Sequence, residues 1–413
     1  FYLFSVIIYA GMASQFVRGF GDVRTAGNAV LLVLTLIFAI RKHVTLKMDF
    51  FMFIGVFALW SVGTIITTGS TQFLLWETMR WSMYLIVSYV ICKGYGYRFY
   101  VLAETILFHL TLIALFFWVI QLIIPNQLYE VLSTIALPAF NDDDRFVTSN
   151  ILIYTISRSS VFGGGAGEEW YLFTRNSGFA WEPGAFACFM CFAVVFNTMR
   201  TNLRFKNNLP LIVFLAALAS TQSTTGYVIM GVMLVVWLFT NGKVGWAIAL
   251  IPFVLLVLNL PFMSEKIAEN MEGYRDVTLD SVQGGMGYDR TWSFMLLLDE
   301  FTRHPIFGYG FSEANFMQFE MTTFSGIGHL LAQFGIVITI VFILLLVKAS
   351  LNINKCFYNR SGWLMLVAMI GMMVSYMLWT HPFFIAIWMS AIFMKDRNYT
   401  QSLVSSKVQY KNG

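Results

Sequence analysis

The stretch "SGIGHLLAQFGIVITIVFILLLV", Ser325 to Val347, carries no Asp, Glu, Lys or Arg. A helix needs about 20 mainly apolar residues to cross the hydrocarbon core of a bilayer. Comparable apolar runs recur near residues 1–17, 25–40, 49–68, 72–92, 99–123, 183–199, 209–222, 225–240, 244–262, 361–379 and 382–395. Lipid offers the backbone no water partner, so such runs have to be helices. The expectation is an all-α polytopic membrane protein of about twelve transmembrane helices, a single membrane domain over residues 1–413. Composition agrees: 58% of residues are hydrophobic, 17% aromatic and 12% charged, with a mean hydropathy of +0.70. No polar stretch is long enough to enclose a second, soluble core. The run Phe1–Val17 has no basic segment before it and reads as a membrane helix, not a signal peptide.

The basic residues fall on alternating connections. One set holds Arg41, Lys42, Lys47, Lys93, Arg98, Arg200, Arg204, Lys206, Lys243, Lys348, Lys355 and Arg360, and the C-terminal tail adds Lys395, Arg397, Lys407 and Lys411. The short connections near 69–71, 223–224 and 380–381 hold no Lys or Arg. The positive-inside rule then assigns the first set and both termini to the cytoplasm. Two long segments, 124–182 and 263–324, fall outside, and their Trp, Tyr, Phe, Gly and Pro content predicts folded loops. The net charge of +4 thus sets topology and gives no sign of nucleic acid.

Cys92, Cys188, Cys191 and Cys356 avoid the long polar loops, so no disulfide framework is expected. Cys188 and Cys191 lie within an apolar run and read as packing residues. No zinc-ligand spacing is present.

Three stretches can carry chemistry. In "RNSGFAWEPGAF", Arg175 to Phe186, Pro183 suits the first turn of a helix. Glu182 and Trp181 then sit at its mouth, and the terminal N–H groups favour an anion. With Arg175 upstream, the cluster suits a pyrophosphate. A capped helix with an aromatic belt and a surface ion pair is the alternative. In "YDRTWSFMLLLDEFTRHPIFGYGF", Tyr288 to Phe311, Arg290 opens a segment that suits a helix lying along the membrane surface. Arg303 lies near its end, and Pro305, Gly308 and Gly310 force a defined turn around Tyr309. In "SGIGHLLAQFG", Ser325 is an N-cap and His329 lies in the first turn, with Gln333 one turn on. Polar groups there face a cavity or are satisfied structurally. Arg80, in "WETMRWSMYL", reads as an intramembrane arginine, with Glu77, Glu104 or a backbone carbonyl as structural partners. Asp142 and Asp144 form an Asp-x-Asp, but "NDDDRF" reads first as a solvated acidic loop.

The order of these stretches resembles the O-antigen polymerase and ligase superfamily of bacterial membrane glycosyltransferases. "RNSGFAWEPGAFACF" resembles the motif that opens a membrane helix in O-antigen polymerases. "DRTWSFMLLLDEFTRHPIFGYGF", followed by "GHLLAQFG", resembles the signature shared by polymerases and ligases. The "WEPG" segment favours the polymerase, and Leu330 stands where ligases commonly carry an asparagine after the histidine.

The resemblance implies a multi-pass enzyme of the bacterial inner membrane with its active site facing the periplasm. It implies polymerisation of undecaprenyl-pyrophosphate-linked oligosaccharide repeat units without a cofactor or metal. Membrane lipid and a chain-length regulator protein are the expected partners. Arg175 and Arg290, with Arg303 as an accessory, would bind pyrophosphate, since a guanidinium matches phosphate oxygens bidentately. His329 would act as base, its ordinary pKa near 6.5 suiting the compartment, with Glu182 organising Arg175 or the acceptor sugar. Arg80, Trp181 and Tyr309 are accessory candidates. Alternatives are a ligase moving the polymer to lipid A core, a lipid-linked oligosaccharide flippase, and a metal-dependent glycosyltransferase built on Asp142 and Asp144. Polar residues concentrated at helix mouths, instead of at mid-membrane, favour chemistry at one face over transport.

Overall fold

The computed structural model describes residues 1–11, 22–69, 74–135, 148–150, 153–157, 173–250, 290–310 and 325–394. Its helices are α1 (Tyr2–Gly11), α2 (Asp22–Arg41), α3 (Met48–Thr68), α4 (Leu74–Tyr95), α5 (Arg98–Ile123) and α6 (Pro125–Ile135), then α7 (Pro183–Thr201), α8 (Leu209–Ser220) and α9 (Thr224–Thr240). Residues 244–250 are also helical. α10 (Arg290–Arg303), α11 (Gly326–Phe357), α12 (Ser361–Ser375) and α13 (Pro382–Phe393) complete the set. The described residues thus form a predominantly α-helical, apolar assembly. Among them four helices, α3, α5, α7 and α11, are long and apolar enough to cross a membrane, and shorter apolar helices of 10–17 residues accompany them.

The apolar runs predict most of these helices to within a few residues. Two elements were not expected. α6 follows α5 directly at Pro125, inside the first long outer segment. A short antiparallel hairpin, β1 (Thr148–Asn150) with β2 (Thr155–Ser157), pairs Ser149 with Ile156. It is anchored where Thr155 N–H donates to Gly178 O at 2.7 Å and Tyr154 Oη donates to Gln121 Oε1. The run 361–379 also ends earlier than expected. α12 stops at Ser375, and a 3₁₀ turn, Leu378–Thr380, leads into α13.

α7 is the hub: 89% of its apolar window is buried within the protein, and Gly184 through Met199 are all buried. A helix that is apolar all round has to be enclosed by its neighbours or by lipid. α5, α8, α9 and α12 enclose this one. Phe189 packs against Phe383 and Phe384, and Phe196 against Phe383 and Tyr100. Cys188 and Cys191 are buried in the same packing. The outer helices do the reverse: Met52, Leu59 and Ile66 on α3, and Phe116 and Ile123 on α5, are exposed. Apolar side chains turned outward in this number mark a surface that lipid covers.

The two ends of the bundle differ. At one end Arg200 donates to Glu104 through Nε at 3.1 Å and Nη2 at 2.8 Å, and Asn197 Nδ2 donates to Glu104 at 2.7 Å. Lys93 pairs with Asp49 at 3.0 Å. At the other end lie the starts of α7, α9, α11 and α13, which form the candidate site.

Candidate functional site

Two helix N-termini meet on one tyrosine. Pro183 occupies the first turn of α7 and Glu182 its N-cap position, where the glutamate is half-buried and its side chain does not cap the helix. A methyl group added to Gly184 would lie 1.8 Å from Tyr376 Oη, so glycine is what lets that hydroxyl reach the first turn of α7. On the other side, a methyl on Gly326 would lie 2.2 Å from the Tyr376 carbonyl oxygen. Tyr376 therefore sits between the starts of α7 and α11. Trp181 sets its ring edge-on to Tyr376 at 5.9 Å, and its backbone N–H donates to Gly11 O at 3.3 Å. The start of α9 joins the group through Thr225 Oγ1, 3.1 Å from Ser375 Oγ.

Arg175 leads into this mouth. Its Nε donates to Thr221 O at 3.0 Å. Asn176 fastens the same strand of chain to the α8–α9 turn, its N–H donating to Ser220 O at 3.0 Å and its Nδ2 to Ser220 Oγ at 2.9 Å. The guanidinium is thus set at the α8–α9 turn, whose Ser223 caps α9 and lies beside Gly184.

His329 lies in the first turn of α11 and is 6% exposed. Ser325 caps that helix as expected, its Oγ accepting from Gly328 N–H at 3.2 Å. α11 is not continuous. Gly335 has φ 68° and ψ 179°, a conformation that belongs to glycine, and it splits off a short half-helix, 326–334, that carries His329. The loop after α10 fills the break. Tyr309 N–H donates to Ala332 O and Gly310 N–H to Gln333 O, both at 2.9 Å. Ile336 N–H donates to Pro305 O at 2.9 Å and Val337 N–H to Ile306 O at 3.4 Å. Gln333 Nε2 adds a bond to Gly310 O at 3.2 Å. Backbone groups freed by the break are thereby satisfied away from water, as a membrane setting demands. α10 lies across the half-helix, with Leu297 against Gly328.

The remaining expected residues divide. Arg290 is the first residue of α10, and its side chain lies outside the described set. Arg303 stands at the opposite end, about 20 Å along the axis, exposed and paired with Asp299 at 2.9 Å. Tyr309 is buried, so it does not offer a face at the surface. Burial, followed by the charges of Glu300 and Glu77, pushes its hydroxyl pKa up, and the Arg80 charge opposes them. Arg80 lies near the start of α4, Leu74–Tyr95, where it pairs with Glu77, one of its expected partners. Glu104, another expected partner, pairs instead with Arg200 at the far end. Asp142 and Asp144 lie outside the described residues.

Tyr376, Glu300 and His381 were not singled out from the sequence. Tyr376 is embedded in an apolar run and looks like core, and His381 falls in the short connection at 380–381. His381 occupies the N-cap position of α13 without a side-chain cap bond, and its ring approaches Tyr9 and Tyr84, whose hydroxyls are 2.7 Å apart. Glu300 did carry a signal. Ser293, Leu297 and Glu300 recur at i, i+4 and i+7 and form the buried face of α10. No family model matches the sequence, and no curated protein sequence matches it.

Proposed function

We propose that the protein is a polysaccharide polymerase that transfers oligosaccharide repeat units from undecaprenyl pyrophosphate to one another. The observation that carries this reading is the meeting of the α7 and α11 N-termini on Tyr376, with Arg175, Glu182 and His329 on the adjoining turns. Helix N-termini and a guanidinium favour a condensed anion, and the exposed apolar helix faces around them suit a ligand with a lipid tail. In this proposal about twelve spans cross the bacterial inner membrane, and the mouth faces the periplasm, opposite the end that bears Lys93 and Arg200.

Arg175 and Arg290 hold the pyrophosphate as charge develops on it. Each charge-assisted bond contributes about 1.5–3 kcal/mol. The acceptor hydroxyl oxygen forms a bond to the anomeric carbon of the donor sugar, and the bond from that carbon to the pyrophosphate oxygen breaks. Undecaprenyl pyrophosphate departs with the electron pair. His329 takes the hydroxyl proton, a role that supplies about 10²–10⁴-fold, while Glu182 orients Arg175 or the acceptor.

The test is complementation of a polymerase-deficient strain that makes the matching donor. Wild type should restore a ladder of surface polysaccharide. Arg175→Ala, Arg290→Ala and His329→Ala, expressed to equal levels in the membrane, should leave a single repeat unit. No ladder with well-expressed wild type would reject polymerisation.

A further inference from the structure

The second turn of α4 carries more unmet hydrogen-bonding capacity than packing explains. Thr78 Oγ1, Arg80 Nε and Trp81 Nε1 are buried and have no hydrogen-bond partner among the described residues, although Arg80 Nη2 pairs with Glu77. Trp81 as a whole is 4% exposed. More than about 90% of buried polar groups in native structures are paired, so this number within four residues calls for a cause. At 3.6 residues per turn, residues 80, 77, 81 and 78 follow one another around an arc of about 160°. They form one side of α4. The charges of Glu300, Glu77 and Arg80 all act on the Tyr309 hydroxyl, and Glu300 is 2% exposed.

We infer that Thr78, Arg80 and Trp81, with Glu77, Glu300 and Tyr309, form a binding subsite for a neutral, hydroxyl-rich ligand, the acceptor sugar. The inference rests on the polymerase reading and assigns the second substrate of the same site. The balance of groups selects the ligand. Glu77 already pairs with the Arg80 guanidinium, so the group offers no free positive charge to a phosphate. A sugar hydroxyl both donates and accepts, and so can satisfy indole and guanidinium N–H groups together with carboxylate oxygens.

Position agrees. Trp81 packs edge-on against Phe334 at 5.2 Å, and Tyr309 is bonded to Ala332. These contacts lie at the end of the half-helix, whereas Gly326, at its start, packs on Tyr376. His329 lies between them. The half-helix spans roughly 12 Å, so a base at the end of its first turn stands between a pyrophosphate at one end and an acceptor at the other.

The experiment uses the full chain in lipid nanodiscs and two probes: undecaprenyl pyrophosphate, and the repeat-unit oligosaccharide released from the strain's own surface polysaccharide by mild acid. Arg80→Lys retains the charge opposite Glu77 but removes Nε. Trp81→Phe retains the ring against Phe334 but removes the N–H. Each should weaken oligosaccharide binding about tenfold and leave undecaprenyl pyrophosphate binding unchanged, whereas Arg175→Gln should do the opposite. Wild-type oligosaccharide affinity in both Arg80→Lys and Trp81→Phe, with Arg175→Gln still impairing lipid binding, would overturn this subsite alone. Loss of undecaprenyl pyrophosphate binding in Arg80→Lys would overturn it in favour of a phosphate role. Failure of the wild type to bind either probe would remove the polymerase reading and this inference with it.

Discussion

Replacing Gly335 with alanine tests whether the α10–α11 loop is built into the break in α11. A methyl group there would lie 2.3 Å from Ile306 O, 2.5 Å from Ile306 C and 2.6 Å from Gly308 N. All three are backbone atoms and cannot rotate away. The φ of 68° with ψ of 179° adds about 1–3 kcal/mol for any residue other than glycine. To relieve the overlap the loop has to lift, which gives up the bonds joining Tyr309, Gly310, Ile336 and Val337 to their partners. At about 1 kcal/mol each, these bring the expected loss to roughly 5–7 kcal/mol. Gly69 is the matched control. Its φ is also 68°, but a methyl there meets nothing within 4 Å, so Gly69→Ala should cost only about 1–2 kcal/mol. Thermal unfolding of purified protein in detergent, with limited proteolysis of the 304–310 segment, reads the difference. Gly335→Ala should unfold well below wild type and be cleaved in the loop, whereas Gly69→Ala should stay close to wild type. Equal behaviour of the two variants would refute the packing argument.

Other substitutions address the site and the opposite end. Gly184→Ala should abolish polymer formation through the Tyr376 hydroxyl, and adding Tyr376→Phe should recover part of it; a double variant as inactive as the single one would show that the overlap is not the cause. Arg175→Lys should fail in the complementation assay almost as badly as Arg175→Ala, because an ammonium lacks the planar fork, and a fully active lysine variant would reduce Arg175 to a source of charge. Glu104→Ala strands Asn197 and Arg200 and should lower stability by about 2–3 kcal/mol without changing ladder length in protein that does fold. A change in ladder length would tie that end to the chemistry.

Legibility followed the range of the interactions. Helices such as α3, α5 and α7 were readable because membrane crossing imposes length and apolarity on a contiguous segment. The Glu182–Pro183 start of α7 and the Ser325 cap of α11 were readable because capping is local. The break at Gly335 was not. A lone glycine in an apolar run resembles a tolerated packing residue, and its cause is a loop some thirty residues upstream. α4 runs three residues past the expected run, to Tyr95, and takes in Lys93, which pairs with Asp49. Tyr376 was hidden because a buried hydroxyl between helix starts has the same sequence signature as an aromatic core residue. Arg175 and His329 were legible as polar intrusions at apolar boundaries, while their surroundings came from segments far apart in the chain.

The ladder between residues 305–310 and 332–337 also constrains how the chain can change in length. Its bonds pair individual positions, Pro305 with Ile336 and Tyr309 with Ala332 among them. A residue inserted between Ile306 and Tyr309 would put one set out of step with the other. The turn at Asn241 and Gly242 has no such partner strand, and a methyl on Gly242 meets nothing within 4 Å. Insertions and deletions are therefore far easier to accommodate at 241–242 than in the loop that braces the histidine-bearing half-helix.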